Sequence, residues 1–199
     1  MSRRGIFALA LAAALWPAPA DAHLDSTGLG PLHDGAVHFF TSPVDLLSAL
    51  ALALFAGLRG PEHGRRVLFV LPGAWLLGGC VGASAPPVAE SAIASALWVL
   101  GLGALLALDA GLSPRATTAL AAAVGLHHGF LNGSGLGWSQ SSSAALVGLA
   151  AALFALVALA SALVVGLRVE WTRIAVRVAG SWIAASGLLW LGWAARSPR

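Results

Sequence analysis

Charged residues are sparse in this chain, and between them lie six apolar runs, at about 38–58, 66–83, 90–110, 116–131, 144–167 and 174–195. An apolar run of roughly 17–25 residues, wound as a helix, matches the ~30 Å hydrocarbon core of a bilayer. Of the 199 residues, 58% are hydrophobic and only 10% are charged, whereas soluble domains carry about a quarter charged residues. A chain this poor in charge cannot cover a water-facing surface, so lipid must solvate most of it. The fold class that follows is an all-α membrane protein, a six-transmembrane-helix bundle. The run at 116–131 is the shortest and the most polar, and is expected inside the bundle.

Residues 1–22 read differently. Arg3 and Arg4 precede a short apolar stretch, then Pro17, Pro19 and Ala20-Asp21-Ala22. A basic start, a short apolar core and an A-x-A site make a cleavable signal peptide. Cleavage after Ala22 leaves His23 as the mature N-terminus, outside the cytoplasm. Arginine then alternates between the loops. Arg59, Arg65 and Arg66 fall in the first, Arg115 in the third, and Arg168 and Arg173 in the fifth. The second and fourth loops have no basic residue. Basic loops stay cytoplasmic, so both ends of the mature chain are expected outside the inner (cytoplasmic) membrane.

All eleven basic residues are arginines scattered between apolar runs. Nucleic-acid binding needs clustered charge and is set aside. Cys80 is the one cysteine, so an intramolecular disulfide and a cysteine zinc site are excluded; it reads as a buried small residue. Small residues let helices approach closely in lipid, and Gly78/Gly82 and Gly180/Ala184, each pair four apart, are candidate contact faces.

Ionisable groups in lipid are costly and usually serve a site or a pathway. One group opens the first run: His33, Asp34, His38 and Asp45. On a continuous helix, His38 and Asp45, seven apart, share a face. Imidazole and carboxylate suit a borderline divalent cation. Asp45 after Pro43 is equally a helix start signal. A second group ends the fourth run: His127, His128 and Asn132, with His128 and Asn132 four apart on one face. Their plainer reading is hydrogen bonding between helices. Glu90 opens the third run, where it also suits a helix dipole. His23, with its free amine, would chelate a transition metal. Asp109 reads as an interfacial charge near Arg115, and His63 as a solvated loop residue.

These residues resemble the HupE/UreJ family of hydrogenase- and urease-associated membrane proteins. The Ala22-His23 start, His38 and Asp45-Leu-Leu-Ser-Ala-Leu are similar to its first span, H-x5-D-H-L-L-A. Pro87 to Gly101, with Glu90, resembles its V-E-x-x-I-A-A-S-V-L-V-L-G segment. Leu126 to Gly135 resembles F-H-G-x-A-H-G-x-E, and Arg177 to Gly187 its closing R-x-x-G-x-x-I-A-A-x-G span. The chain departs from the pattern in four places. The His38–Asp45 spacing is one residue longer. Leu46 and Asn132 replace histidines, and Gly135 replaces a glutamate.

The resemblance implies a permease for nickel, and for cobalt as a second candidate, feeding metalloenzyme maturation. It makes His38, Asp45 and His128 the metal residues. His33, His127, Asn132, Glu90 and His23 stand behind them. The metal is a passing cargo, with no tightly bound cofactor. Maturation proteins, or further copies of the chain, are the implied protein partners. Two other readings stay open. One is a non-transporting accessory protein that has kept the fold and lost part of the site. The other is an intramembrane zinc hydrolase, for which the chain has neither H-E-x-x-H nor G-x-S-x-G.

Overall fold

The computed structural model describes residues 27–137 and 139–196. The expected signal peptide, its expected cleavage site and His23 lie outside them. Among the described residues there are seven α-helices and no strand. They are α1 (Pro31–Thr41), α2 (Pro43–Arg59), α3 (Pro61–Ala83), α4 (Ala92–Ala107), α5 (Pro114–Leu136), α6 (Gln140–Gly166) and α7 (Glu170–Ala194).

The boundaries have local causes. Proline opens α1, α2, α3 and α5, where a missing N–H costs nothing. Ser42, Ser91, Ser113 and Ser139 accept a backbone N–H at the starts of α2, α4, α5 and α6, which satisfies one orphan donor of each first turn. Gly60 alone joins α2 to α3, at φ +109, a conformation other residues rarely adopt.

The first apolar run is not one helix. It breaks at Ser42-Pro43, and α1 meets α2 at 76°. A residue before proline is pushed to extended backbone, and Ser42 sits at φ −86, ψ 101. The fourth run corrects the expectation the other way. Its helix reaches Leu136, so Asn132 is helical and the loop to α6 is only residues 137–139.

Close backbone contacts set the packing. A Cβ added at Gly78 or Gly82 of α3 would strike the backbone of Leu126 or Phe130 on α5. One added at Gly125, Gly129 or Gly133 of α5 would strike α3 at Leu71, Trp75 or Gly79. Both series ascend together, so α3 and α5 run parallel. The Gly78/Gly82 face is therefore a contact face. The Gly180/Ala184 face packs antiparallel on α4, with Gly103 against Ala184 and Gly187 against Leu100. Helix α1 lies on α6 through Gly35 and Gly148. Helix α2 is the hub and touches every other helix class of the bundle, α3, α4 and α6 most.

Large apolar side chains are exposed on the surface, and several polar side chains are buried within a mostly apolar core. Leu77, Leu159, Leu163, Trp182 and Leu189 are exposed, while Asp45, Ser48, His63, Ser95, Thr117, His128, Ser134 and Ser161 are buried. Cys80 is exposed rather than buried. Three helices, α3, α6 and α7, are long and apolar enough to cross a membrane, and a fourth crossing follows if α1 and α2 form one broken span. Helix α4 has 16 residues, about 24 Å at 1.5 Å per residue. Helix α5 has the length but carries His127, His128 and Asn132. Exposed Trp171 and Trp193 near the ends of α7 stand about 33 Å apart along the axis, the spacing of the two aromatic belts of a bilayer.

Charge is divided between the two ends of the bundle. Arg59 pairs with Asp109 at 3.2 Å, not Asp109 with Arg115. Arg173 and Arg177 donate to the carbonyls of Leu58 and Ala107, and so satisfy the last turns of α2 and α4. His63 is buried, with Nδ1 3.0 Å from the Thr117 hydroxyl, and so is not a solvated loop residue. The opposite end holds Asp34, Asp45, Glu90 and the remaining described histidines.

Candidate metal-ion site

The break at Ser42-Pro43 builds the site. His38 and Asp45 are on different helices, so the shared-face argument fails. The bend nevertheless brings both to the C-terminal half of α5. Asp45 lies in the first turn of α2, where the helix dipole favours a carboxylate. His128 and Asn132 present one face of α5 toward it.

A continuous hydrogen-bond chain links the four side chains. His128 Nδ1 lies 2.8 Å from Asp45 Oδ1. Asn132 Nδ2 donates to Asp45 Oδ2 at 3.0 Å and to the carbonyl of His128 at 2.9 Å. His38 Nε2 lies 3.0 Å from Asn132 Oδ1. The directions can be assigned from chemistry. A carboxylate only accepts, so His128 donates from Nδ1. Both partners of Nδ2 are acceptors, which fixes the amide's orientation, so Oδ1 accepts from His38 Nε2. Asp45 thus collects two N–H donors and fixes the orientation of the His128 ring through Nδ1. A carboxylate that orients a histidine in this way is the usual outer partner of a metal-binding imidazole.

His128 is 2% exposed, and its Nε2 is buried with no hydrogen-bond partner. Trp75 stacks on its ring at 5.2 Å and 25°, and Trp98 leans against it at 6.3 Å. His127 packs edge-on to His128 and against Trp98, and its Nε2 is also buried without a partner. A buried polar atom left unpaired costs about 1–3 kcal/mol, so each calls for a partner such as a water or an ion.

A cavity of about 280 Å³ opens beside the chain, lined by His38, Ser42, Asp45, Glu90, Asn132 and Gly135 among others. Glu90 accepts from the Ser95 hydroxyl and also borders a second cavity, of about 290 Å³, with Trp190 and Trp193. Gly135 carries no side chain into the first cavity, which leaves its wall there without a donor.

The structure thus gathers His38, Asp45, His128 and Asn132, with Glu90 across the cavity and His127 behind. It does not gather His33, which is exposed with Nδ1 3.0 Å from the Thr27 hydroxyl. Asp34 beside it accepts from the Thr27 N–H and hydroxyl. Sequence reasoning missed Ser42, Trp75, Trp98 and Ser95. A tryptophan within an apolar span is the one signal that marked two of them. Among the described residues, no group of three or more His, Cys, Asp or Glu is arranged to hold a metal ion. The donors are instead spent on one another.

No curated protein and no solved structure matches the chain. A family model described as HupE / UreJ protein matches residues 10–190. With nearly the whole sequence matched, the chain belongs to the HupE/UreJ family of membrane proteins.

Proposed function

We propose that the protein is a six-span permease of the inner membrane that passes a divalent transition metal inward for metalloenzyme maturation. Nickel is the first cargo and cobalt the second. The observation that carries this reading is the buried Asp45–His128 pair, whose Asp45 lines the cavity beside the bent first span together with His38 and Glu90. Asp45 and His38 face that cavity, where a carboxylate and an imidazole could share one cation, and Asp45 also holds the His128 ring by Nδ1. A site without a prebuilt ligand shell binds weakly, and conduction needs an ion that can leave. In this topology α1–α2 forms the first span, and α4 and α5 cross inside the protection of their neighbours. The arginine-rich end faces the cytoplasm, as basic residues do.

A second reading has its own support. The absence of a gathered three-ligand group among the described residues fits an accessory protein that binds a maturation partner, or another copy of itself, without transport. A zinc hydrolase needs three protein ligands and an open position, and no observation favours it.

The test is uptake of radioactive nickel by cells expressing the wild type, His128→Ala or an empty vector. Wild-type uptake above both controls supports the permease. Equal uptake in all three, with a partner protein co-purifying, supports the accessory reading instead.

A further inference from the structure

The side-chain amide of Asn132 occupies the centre of the polar chain, between the two groups best able to bind a cation. Its Nδ2 donates to Asp45 Oδ2 at 3.0 Å, and its Oδ1 holds His38 Nε2 at 3.0 Å. A third bond, Nδ2 to the carbonyl of His128 at 2.9 Å, ties the amide to its own helix. All of this stands on the wall of the 280 Å³ cavity that also carries Glu90.

Resting on the metal reading of the site, we propose that Asn132 is a displaceable placeholder: its amide fills the cation position while the site is empty and competes with the ion for Asp45 and His38. Without the amide, Asp45 would keep a carboxylate oxygen that is buried and under-bonded, a costly arrangement. With it, the carboxylate is satisfied by partial positive charge instead of a full one. An entering dication takes Asp45 Oδ2 from the N–H donor. To offer Nε2, His38 gives up the hydrogen bond it makes to Asn132 Oδ1. The bond to the His128 carbonyl keeps the displaced amide on α5, ready to return when the ion leaves. Ion affinity is thereby held low by a competitor built into the site, which favours release.

Cobalt(II) absorption titrations of the purified full-length protein in detergent test this with Asn132→Ala and with Asn132→Leu, which fills similar space without hydrogen bonding. Removing a hydrogen bond to a charged group should tighten cobalt binding by about tenfold or more. Binding that is unchanged or weaker in a folded variant overturns the placeholder role. A wild-type measurement guards against misfolding of both variants. Asn132 is the only asparagine in the chain, so [15N]asparagine labelling gives one side-chain amide signal. Zinc addition should move that signal upfield as its carboxylate partner is lost; a signal that stays fixed while zinc binds overturns the inference. If neither cobalt nor zinc binds the wild type or the variants, the metal reading fails as well.

Discussion

Replacing Asp45 with alanine should damage the fold more than removing one surface carboxylate would, and the structure sets the scale. The carboxylate takes one N–H from His128 at 2.8 Å and one from Asn132 at 3.0 Å. Hydrogen bonds to a charged group contribute about 1.5–3 kcal/mol each. Asn132 keeps its bond to the His128 carbonyl, so its loss is partial. His128 loses its only polar partner and is left with both ring nitrogens unpaired in a site that is 2% exposed. The first turn of α2 also loses a charge suited to its dipole, worth about 0.3–1 kcal/mol. The sum is about 3–5 kcal/mol, the range for breaking a buried pair from one side. The assay is equilibrium unfolding in mixed micelles of the wild type, Asp45→Ala, His128→Ala and the double variant. Because each single change already breaks the pair, the double variant should cost about 2 kcal/mol less than the two singles summed. Additivity within about 0.5 kcal/mol would refute the claim that α2 and α5 are joined through this pair.

Three other outcomes follow from the packing and the topology. Gly129→Ala places a Cβ on the Trp75 backbone and should cost about 1–3 kcal/mol by overpacking; Gly135→Ala, with nothing within 4 Å, should be neutral or slightly stabilising in the same unfolding assay. In a Cys80→Ser background, Pro87→Cys should react with an impermeant thiol reagent in intact cells, and Glu62→Cys only after permeabilisation; the reverse pattern inverts the topology. His33→Ala should leave nickel uptake unchanged, because His33 pairs with Thr27 outside the cavity, whereas His38→Ala should lower it.

Hydropathy and small-residue spacing made the helices legible, because lipid imposes both constraints on a sequence directly. The Gly78/Gly82 and Gly180/Ala184 faces are used as the spacing suggested. The site was legible as a set of residue types and not as a geometry. His38 and Asp45 do meet α5, at Asn132 and His128, but through a 76° break rather than along one helical face. Pro43 carried that signal, since a proline with a capping serine before it can begin a helix or interrupt one. Asn132 reads from the sequence as a weaker candidate in a histidine's place, and the structure makes it the hub. An amide's role depends on which groups surround it, here three, and helical spacing named only His128. Long-range pairs were invisible for the same reason. Arg59–Asp109 spans 50 residues and His63–Thr117 spans 54, beyond what local periodicity reports. Trp75 stacking on His128 belongs to the same class, because tryptophan in an apolar span reads as packing until its neighbour is known.

The central claim is that a bent first span and α5 together pass a divalent metal across the membrane at Asp45 and His128. The most direct measurement is nickel entry into vesicles that contain purified protein and an enclosed metal-quenched dye. Saturable quenching by the wild type, lost in His128→Ala and Asp45→Ala variants that remain folded, is the predicted result. Wild-type quenching no faster than in protein-free vesicles, or equally fast with His128→Ala, would contradict it.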